Sequence, residues 1–333
     1  VIGDGGQSSE IPILRNNFDP VHDIGMVVQK YCPKLLEMLS RTPPLPDGSA
    51  IEMMYPVSIL KRRHSAASEP FERVARAFEF GEMMLRVACY TGFAFLAKHD
   101  TAHLRVVLEK ARTGAKRDFR PSLGLWVEWA RAIVRWYGEE SRYSSPYEGA
   151  WKRVGPYIDQ FVSMRNDHAH GVSGGVSQTK NRSDELEKIL QEMQDYFRRI
   201  LYLRAAIPVR MSRHRNGVDW FYRIVNGDHP EFIAQKVEIA PTDPRVSLLA
   251  GEVCVEMAGA EGGWLSLWPW VALVEGGGDS NDWLAIWDGF DSKRRVIYRQ
   301  VDGPRKSEVP PDLRDKAGSD IGSMLGWADL QQG

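Results

Sequence analysis

The sequence predicts an α+β protein in which an antiparallel helical bundle is followed by a small, tryptophan-rich antiparallel β domain. Three observations predict it. Hydrophobic positions recur with helical period from residue 23 to about residue 206. Beyond Pro208 the texture changes to short alternating or β-branched runs punctuated by Gly, Asp and Pro. Six of the 11 tryptophans then fall between Trp220 and Trp287, the large rings that a small sheet needs for a core. The expected division is an N-terminal extension (1–20), a helical domain (21–206), a β-rich domain (207–309) and a peripheral C-terminal tail (310–333).

The elements follow in order. A helix over Ile24 to Arg41 is interrupted by Pro33. Glu69-Pro70 opens a long amphipathic helix in which Phe71, Val74, Phe78, Leu85, Ala88, Cys89 and Leu96 share one broad face. The pairs Glu72/Arg76 and Glu82/Arg86 support it four residues apart. Thr101 to Arg112 reads as a second helix, ended by Gly114. Ser122 is the N-cap of a third over Leu123 to Tyr137, closed by Gly138, whose Trp126, Trp129 and Trp136 suit a bundle core or dimer interface better than a base-stacking platform. A fourth runs from Tyr147 to Asn166, and Gly155-Pro156 must kink or restart it. After a Gly/Ser-rich loop at 171–180, Ser183 opens a helix through Leu201 with the clearest apolar stripe in the chain. In the β region Val253 to Met257, Trp264 to Trp268, Trp283 to Trp287 and Val296 to Tyr298 read as strands. A turn at Asp288 to Ser292 makes a hairpin of the last two.

Composition limits the function classes. Hydrophobic residues make up 43% of the chain and charged residues 26%, enough for a substantial core and unlike a disordered chain. The longest apolar stretches, Val87 to Ala97 and Trp264 to Val274, are far short of the roughly 20 residues that cross a bilayer. Cys32, Cys89 and Cys254 are odd in number, widely spaced and set among apolar neighbours, which predicts neither a disulfide framework nor a cysteine zinc site. With no signal peptide visible at the start, a cytoplasmic setting is expected. Net charge is −1 overall, but residues 21–206 carry 28 basic and 22 acidic side chains and residues 207–333 carry 14 and 19. A basic bundle beside an acidic β region suits a polyanion substrate and a regulatory or partner-docking role for the β region. No Gly-x-Ser-x-Gly nucleophile motif occurs, and the glycine runs at Gly3 and Gly276 lack the Lys-Ser/Thr of a phosphate loop.

The most informative segment is Met164-Arg165-Asn166-Asp167-His168-Ala169-His170-Gly171, at the junction of the fourth helix with the Gly/Ser loop. Arg offers a permanently charged fork for phosphate oxygens, and His titrates close enough to neutrality to move protons. Together they suit attack of a 2′-hydroxyl on the adjacent phosphorus. Arg165-Asn166, three residues and His170-Gly171 resemble the Arg-polar-x3-His motif of the HEPN superfamily, in its abortive-infection-like form; the resemblance covers Glu69 to Ala206. It implies a metal-independent endoribonuclease of a bacterial defence or toxin-like system, working as a homodimer with two motifs facing one cleft. It needs no cofactor. By the resemblance, Arg165 binds the scissile phosphate, His170 is the general acid or base, and Asn166 orients them. His168 and Asp167 are accessory candidates. Further RNA contacts are expected from Lys61, Arg62 and Arg63 and from Arg112, Lys116, Arg117 and Arg120.

Helix geometry constrains the motif. At about 100° per residue, Asn166 and His170 lie about 40° apart, but Arg165 and His170 about 140° apart. The latter pair meets only if the helix ends near Asp167 or if two copies contribute one residue each. Three other readings stay open: a C-terminal helix cap of cations favoured by the dipole, an inactive HEPN-like scaffold that dimerises and binds RNA or a regulatory protein, and a metal site on Asp167, His168 and His170.

Overall fold

The computed structural model describes residues 52–114, 118–140, 146–147, 149–170, 176–228, 232, 234–257, 263–276, 282–301 and 309–327. The predicted helix at 24–41, Cys32 and the cations Lys116 and Arg117 lie outside the described residues. Nine helices and eight strands are present among them, the strands in two antiparallel sheets, so the architecture is α+β.

The helices are α1 (Tyr55–Ala66), α2 (Pro70–His99), α3 (Thr101–Val107), α4 (Glu109–Gly114), α5 (Leu123–Glu139), α6 (Gly155–Ala169), α7 (Val176–Tyr196), α8 (Arg198–Leu201) and α9 (Pro311–Leu325). Pro70 opens α2 where its missing N–H is not needed. From Phe80 through Leu96 nearly every side of α2 is buried, so it forms the axis of the bundle. Phe71 is the exception to the predicted stripe: it stands 63% exposed in the first turn. The Ser122 hydroxyl accepts from Leu125 N–H and starts α5, which runs past Gly138 to Glu139. The fourth helix restarts as predicted: a short 3-10 turn at Trp151–Arg153 precedes α6, with Pro156 in its first turn. Helix α7 begins at Val176, inside the stretch predicted as loop, and a break at Phe197 separates it from α8.

The strands are β1 (Ala205–His214), β2 (Gly217–Ile224), β3 (Ala234–Ile239), β4 (Cys254–Met257), β5 (Gly263–Ser266), β6 (Val271–Val274), β7 (Trp283–Phe290) and β8 (Val296–Gln300). One sheet has the order β3-β2-β1-β4-β5 and the other β6-β7-β8. Alternation along β1 sorts its side chains between two cores, as strand geometry requires. Ala205 and Ile207 join the main core, whereas Ala206 joins a satellite built on Trp220, Cys254 and Trp264.

The main core does not stop at residue 206. Trp270 and Trp287 from the second sheet pack with Phe93, Trp126 and Trp129 from the bundle, with ring centroids 4.9–6.0 Å apart in the pairs Trp126–Trp129, Trp126–Trp287, Trp129–Trp287 and Trp270–Trp287. Most of these meet edge to face, the arrangement favoured by the ring quadrupole and worth about 0.5–1.5 kcal/mol per pair beyond burial. The tail is also structured. Residues 311–325, expected to be peripheral, form α9, which buries Ala317, Ile321 and Leu325, and the Trp268 indole donates to Asp320 at 2.6 Å. Its apolar positions are only one small stripe among polar residues, which hid it from the sequence.

Strand β7 also carries the connection to α5. Phe119 and Phe290 exchange backbone hydrogen bonds at 2.8 and 2.9 Å beside a bulge at Gly289, whose φ is +122°. A Cβ there would lie 1.9 Å from the Phe119 carbonyl oxygen. Glycine therefore lets residues 118–120 cross β7, and that crossing delivers Arg120 to Asp288.

Candidate functional site

Helix α6 sets the site. Its inward stripe is Ile158 and Phe161, both fully buried, and continuing that stripe by seven residues brings Arg165 and His168 to the same side. The two are accordingly half-buried, whereas Asn166, Asp167 and His170 are exposed. The polar end of an otherwise apolar stripe thus points into the protein, not away from it.

Two adjoining clefts meet there. The first, of about 360 Å³, is lined by Arg63 of α1, by Arg76, Phe78 and Glu79 of α2, by Arg165 and His168, and by Gln300 and Val301 at the end of β8. The second, of about 670 Å³, runs over Arg86, Arg120, the first turn of α5, Asn166 and Asp288. Glu82, Arg165 and Arg299 line both, so they form the seam of one groove.

The floor of the second cleft is an ion network. Arg86, its side chain 4% exposed, pairs with Glu82 and with Asp288, each at 2.8 Å, and Arg120 reaches the other Asp288 oxygen at 2.6 Å. The pair Glu82/Arg86, read from the sequence as a supporting pair four residues apart, is also part of a buried network. Burial works against the charge on Arg86, but Tyr90, Glu82 and Asp288 outweigh it and hold the guanidinium pKa above its ordinary value. Arg299 has the opposite balance: burial and the neighbouring Arg86 lower its pKa. Among the described residues, neither Arg165 nor Arg299 has a carboxylate within ion-pair distance, while Arg76 is neutralised by Glu79 at 2.9 Å. Two half-buried guanidinium groups without a direct ion pair share the seam with Glu82, which is paired with Arg86 and, like Asp288, acts on Arg299 only at longer range, so the groove has room for an anion.

The structure brings Arg165 and Asn166 into this groove and adds His168, whose ring lies 5.3 Å from both Phe71 and Phe78. Burial, Arg182 and Arg165 lower the His168 pKa, so the ring favours its neutral form. His170 lies elsewhere. It is the exposed C-cap of α6, its backbone N–H bonded to the Asn166 carbonyl, and it lines neither cleft. Because α6 continues to Ala169, no early helix end turns His170 toward Arg165 within one chain. Asp167 lies 3.9 Å from Arg182 on α7.

Of the predicted phosphate contacts, Arg63 and Arg120 line the groove. Arg62 instead pairs with Asp228 at 3.4 Å, and Lys61 lines a separate cleft with His64. His64 is buried and ties three helices together through the Arg73 carbonyl and Glu187. The Arg112 side chain is not among those described. The aromatic residues Trp126, Trp129 and Trp136 are bundle core, at 0–4% exposure. Among the described residues, no group of three His, Cys, Asp or Glu side chains comes together as a metal site, Cys89 and Cys254 are buried free thiols, and no helix is long and apolar enough to cross a membrane.

Sequence reasoning missed Arg86, Asp288 and Arg299. Arg86 had a signal, since a charge inside a helix that is apolar all round must be paired. Arg299 and Asp288 had none, because a strand residue's distance from a helix over 200 residues away is not written in local pattern. No family model matches the chain, and neither does any curated protein or solved structure.

Proposed function

We propose that the groove binds the backbone of RNA and that the protein is a metal-independent, HEPN-type endoribonuclease acting as a homodimer. The observation that carries this reading is the seam, where, among the described residues, Arg165 and Arg299 have no carboxylate within ion-pair distance and the carboxylate beside them, Glu82, is already paired with Arg86. Arg165 and Arg299 hold the scissile phosphate and stabilise the charge that builds on its oxygens. Asn166 orients it from the next position on the helix. The 2′-hydroxyl attacks phosphorus, the bond to the 5′-oxygen breaks, and a 2′,3′-cyclic phosphate and a 5′-hydroxyl result. His170 takes or gives the proton. Because His170 is exposed and about 140° around the helix from Arg165, it serves the groove of a second copy. An enzyme of this kind suits a defence or toxin-like role, with the acidic β region holding its regulator.

The separation of His170 from the groove also favours a second reading, an RNA-binding scaffold without chemistry. One experiment separates them. End-labelled RNA is incubated in EDTA with wild type, Arg165→Ala, His170→Ala and an equimolar mixture of the two variants. Cleavage by wild type, loss in each variant and partial recovery in the mixture are expected of a site shared between copies. A mixture as inactive as its parts rejects the shared site, and a wild type that binds RNA but leaves it whole selects the scaffold.

A further inference from the structure

Phe71 is out of place for a bundle helix. It is 63% exposed in the first turn of α2, and its ring lies 5.3 Å from the His168 imidazole, which lies 5.3 Å from Phe78. Phe78 is buried, so the three rings form a ladder with an anchored foot and an open top. His168 lines the first cleft together with Arg165, three residues away on the same helix. Side chains at that spacing have Cβ atoms about 5–6 Å apart, within the reach of one nucleotide from phosphate to base.

We infer that Phe71 and His168 form a base-stacking subsite, which seats one unpaired nucleobase beside the phosphate held by Arg165 and Arg299. The inference rests on the RNA-binding reading and adds the selection of unpaired over paired strands to it. A single exposed ring is too small for a protein interface, which needs on the order of 1,000 Å², but it matches the flat face of one base. Every base has such a face, so the subsite favours unstacked nucleotides without reading sequence. A base paired in a duplex cannot leave its stack to reach Phe71 without breaking its pair. The Phe71 ring meets His168 at a tilt of 43° and stays 63% exposed, which leaves ring surface for the incoming base. A largely neutral His168 keeps the ladder free of a hydrated charge at its middle.

The test is fluorescence anisotropy with a labelled 2′-O-methyl single strand, which cannot be cleaved, compared with the same strand carrying abasic sites and with its duplex. Because Phe71 is exposed, Phe71→Ala leaves the core intact, and a thermal melt checks this. Phe71→Ala is expected to weaken binding of the base-bearing single strand roughly 5- to 150-fold, the range for loss of one stacked base. Phe71→Tyr should restore it. The abasic strand should bind wild type and Phe71→Ala alike. Equal affinity of wild type and Phe71→Ala for the base-bearing strand overturns the subsite while leaving the phosphate seam standing. Failure of wild type to bind any of the three nucleic acids overturns the RNA reading and the subsite with it.

Discussion

Replacing Asp288 by Ala removes an acceptor shared by Arg86 at 2.8 Å and Arg120 at 2.6 Å. The two arginines respond differently. The Arg120 side chain is 57% exposed and is rehydrated at little cost, but Arg86 is 4% exposed and keeps Glu82 as its one paired carboxylate, beside Tyr90. Breaking a buried pair by removing one partner costs about 3–5 kcal/mol, and the surviving Glu82 contact places this case near the lower end, about 3 kcal/mol. With an unfolding entropy of about 2.1 cal/mol/K per residue, a cooperative unit of roughly 280 residues loses about 5 °C in Tm. The same substitution frees Arg120 and makes the groove more positive by one charge. Single-stranded RNA should therefore bind more tightly, with a salt slope steeper by up to about 0.7. Differential scanning calorimetry and binding titrations at several salt concentrations measure the two effects. A less stable protein that binds RNA better is the expected signature. A Tm within about 1 °C of wild type, or affinity that falls with the stability, would refute the placement of Asp288 as the internal counterion of the groove.

Two further expectations concern the helices that carry the site. Gly81→Ala puts a Cβ 2.4 Å from the Phe161 ring at the crossing of α2 and α6, and this overpacking should cost about 1–3 kcal/mol in a denaturant titration. For His168 the direction of the pH effect follows from its lowered pKa. The unfolded chain takes up a proton near pH 6.5, before the folded one does, so the contribution of His168 to stability is complete above that value. It is lost as the pH falls from there toward the lowered folded value. The Tm advantage of wild type over His168→Gln should shrink on acidification from about pH 7.5 to about pH 5, and a constant difference would reject it.

Most of the bundle was legible because its signals are local. Ser122 as a cap, Pro70 as an opener and Gly155-Pro156 as a restart each act within one turn of helix. The strands at Cys254, Trp283 and Val296 were legible for a similar reason, from β-branched and aromatic runs between turn residues. What escaped was how the parts share their surfaces. Trp270 and Trp287 carry the marks of a sheet core, but nothing in the pattern says that the sheet's other half is a helix bundle. At the groove, the motif falls on the last turn of α6, and the stripe from Ile158 and Phe161 prefers Arg165 and His168 to His170 as groove residues. Phe71 was placed inside because helical period alone assigns a face, and it does not register how far along the helix that face stays covered.

The shared tryptophan core has a consequence for how the chain reaches its native state. Tyr90 donates to the Trp287 carbonyl across 197 residues, and Arg86 finds Asp288 across 202. During synthesis α2 and α5 emerge with Phe93, Trp126 and Trp129 uncovered, long before the strand that buries them exists. Contacts of this span slow folding, because the closure entropy is spent before the contact is made, and the waiting apolar face is open to aggregation. The helices thus cannot complete their arginine-lined groove while the nascent chain is still being made. Its acceptor Asp288 and its second fork Arg299 arrive only with the last strands, so translation itself delays the completion of the groove until β7 and β8 have been made.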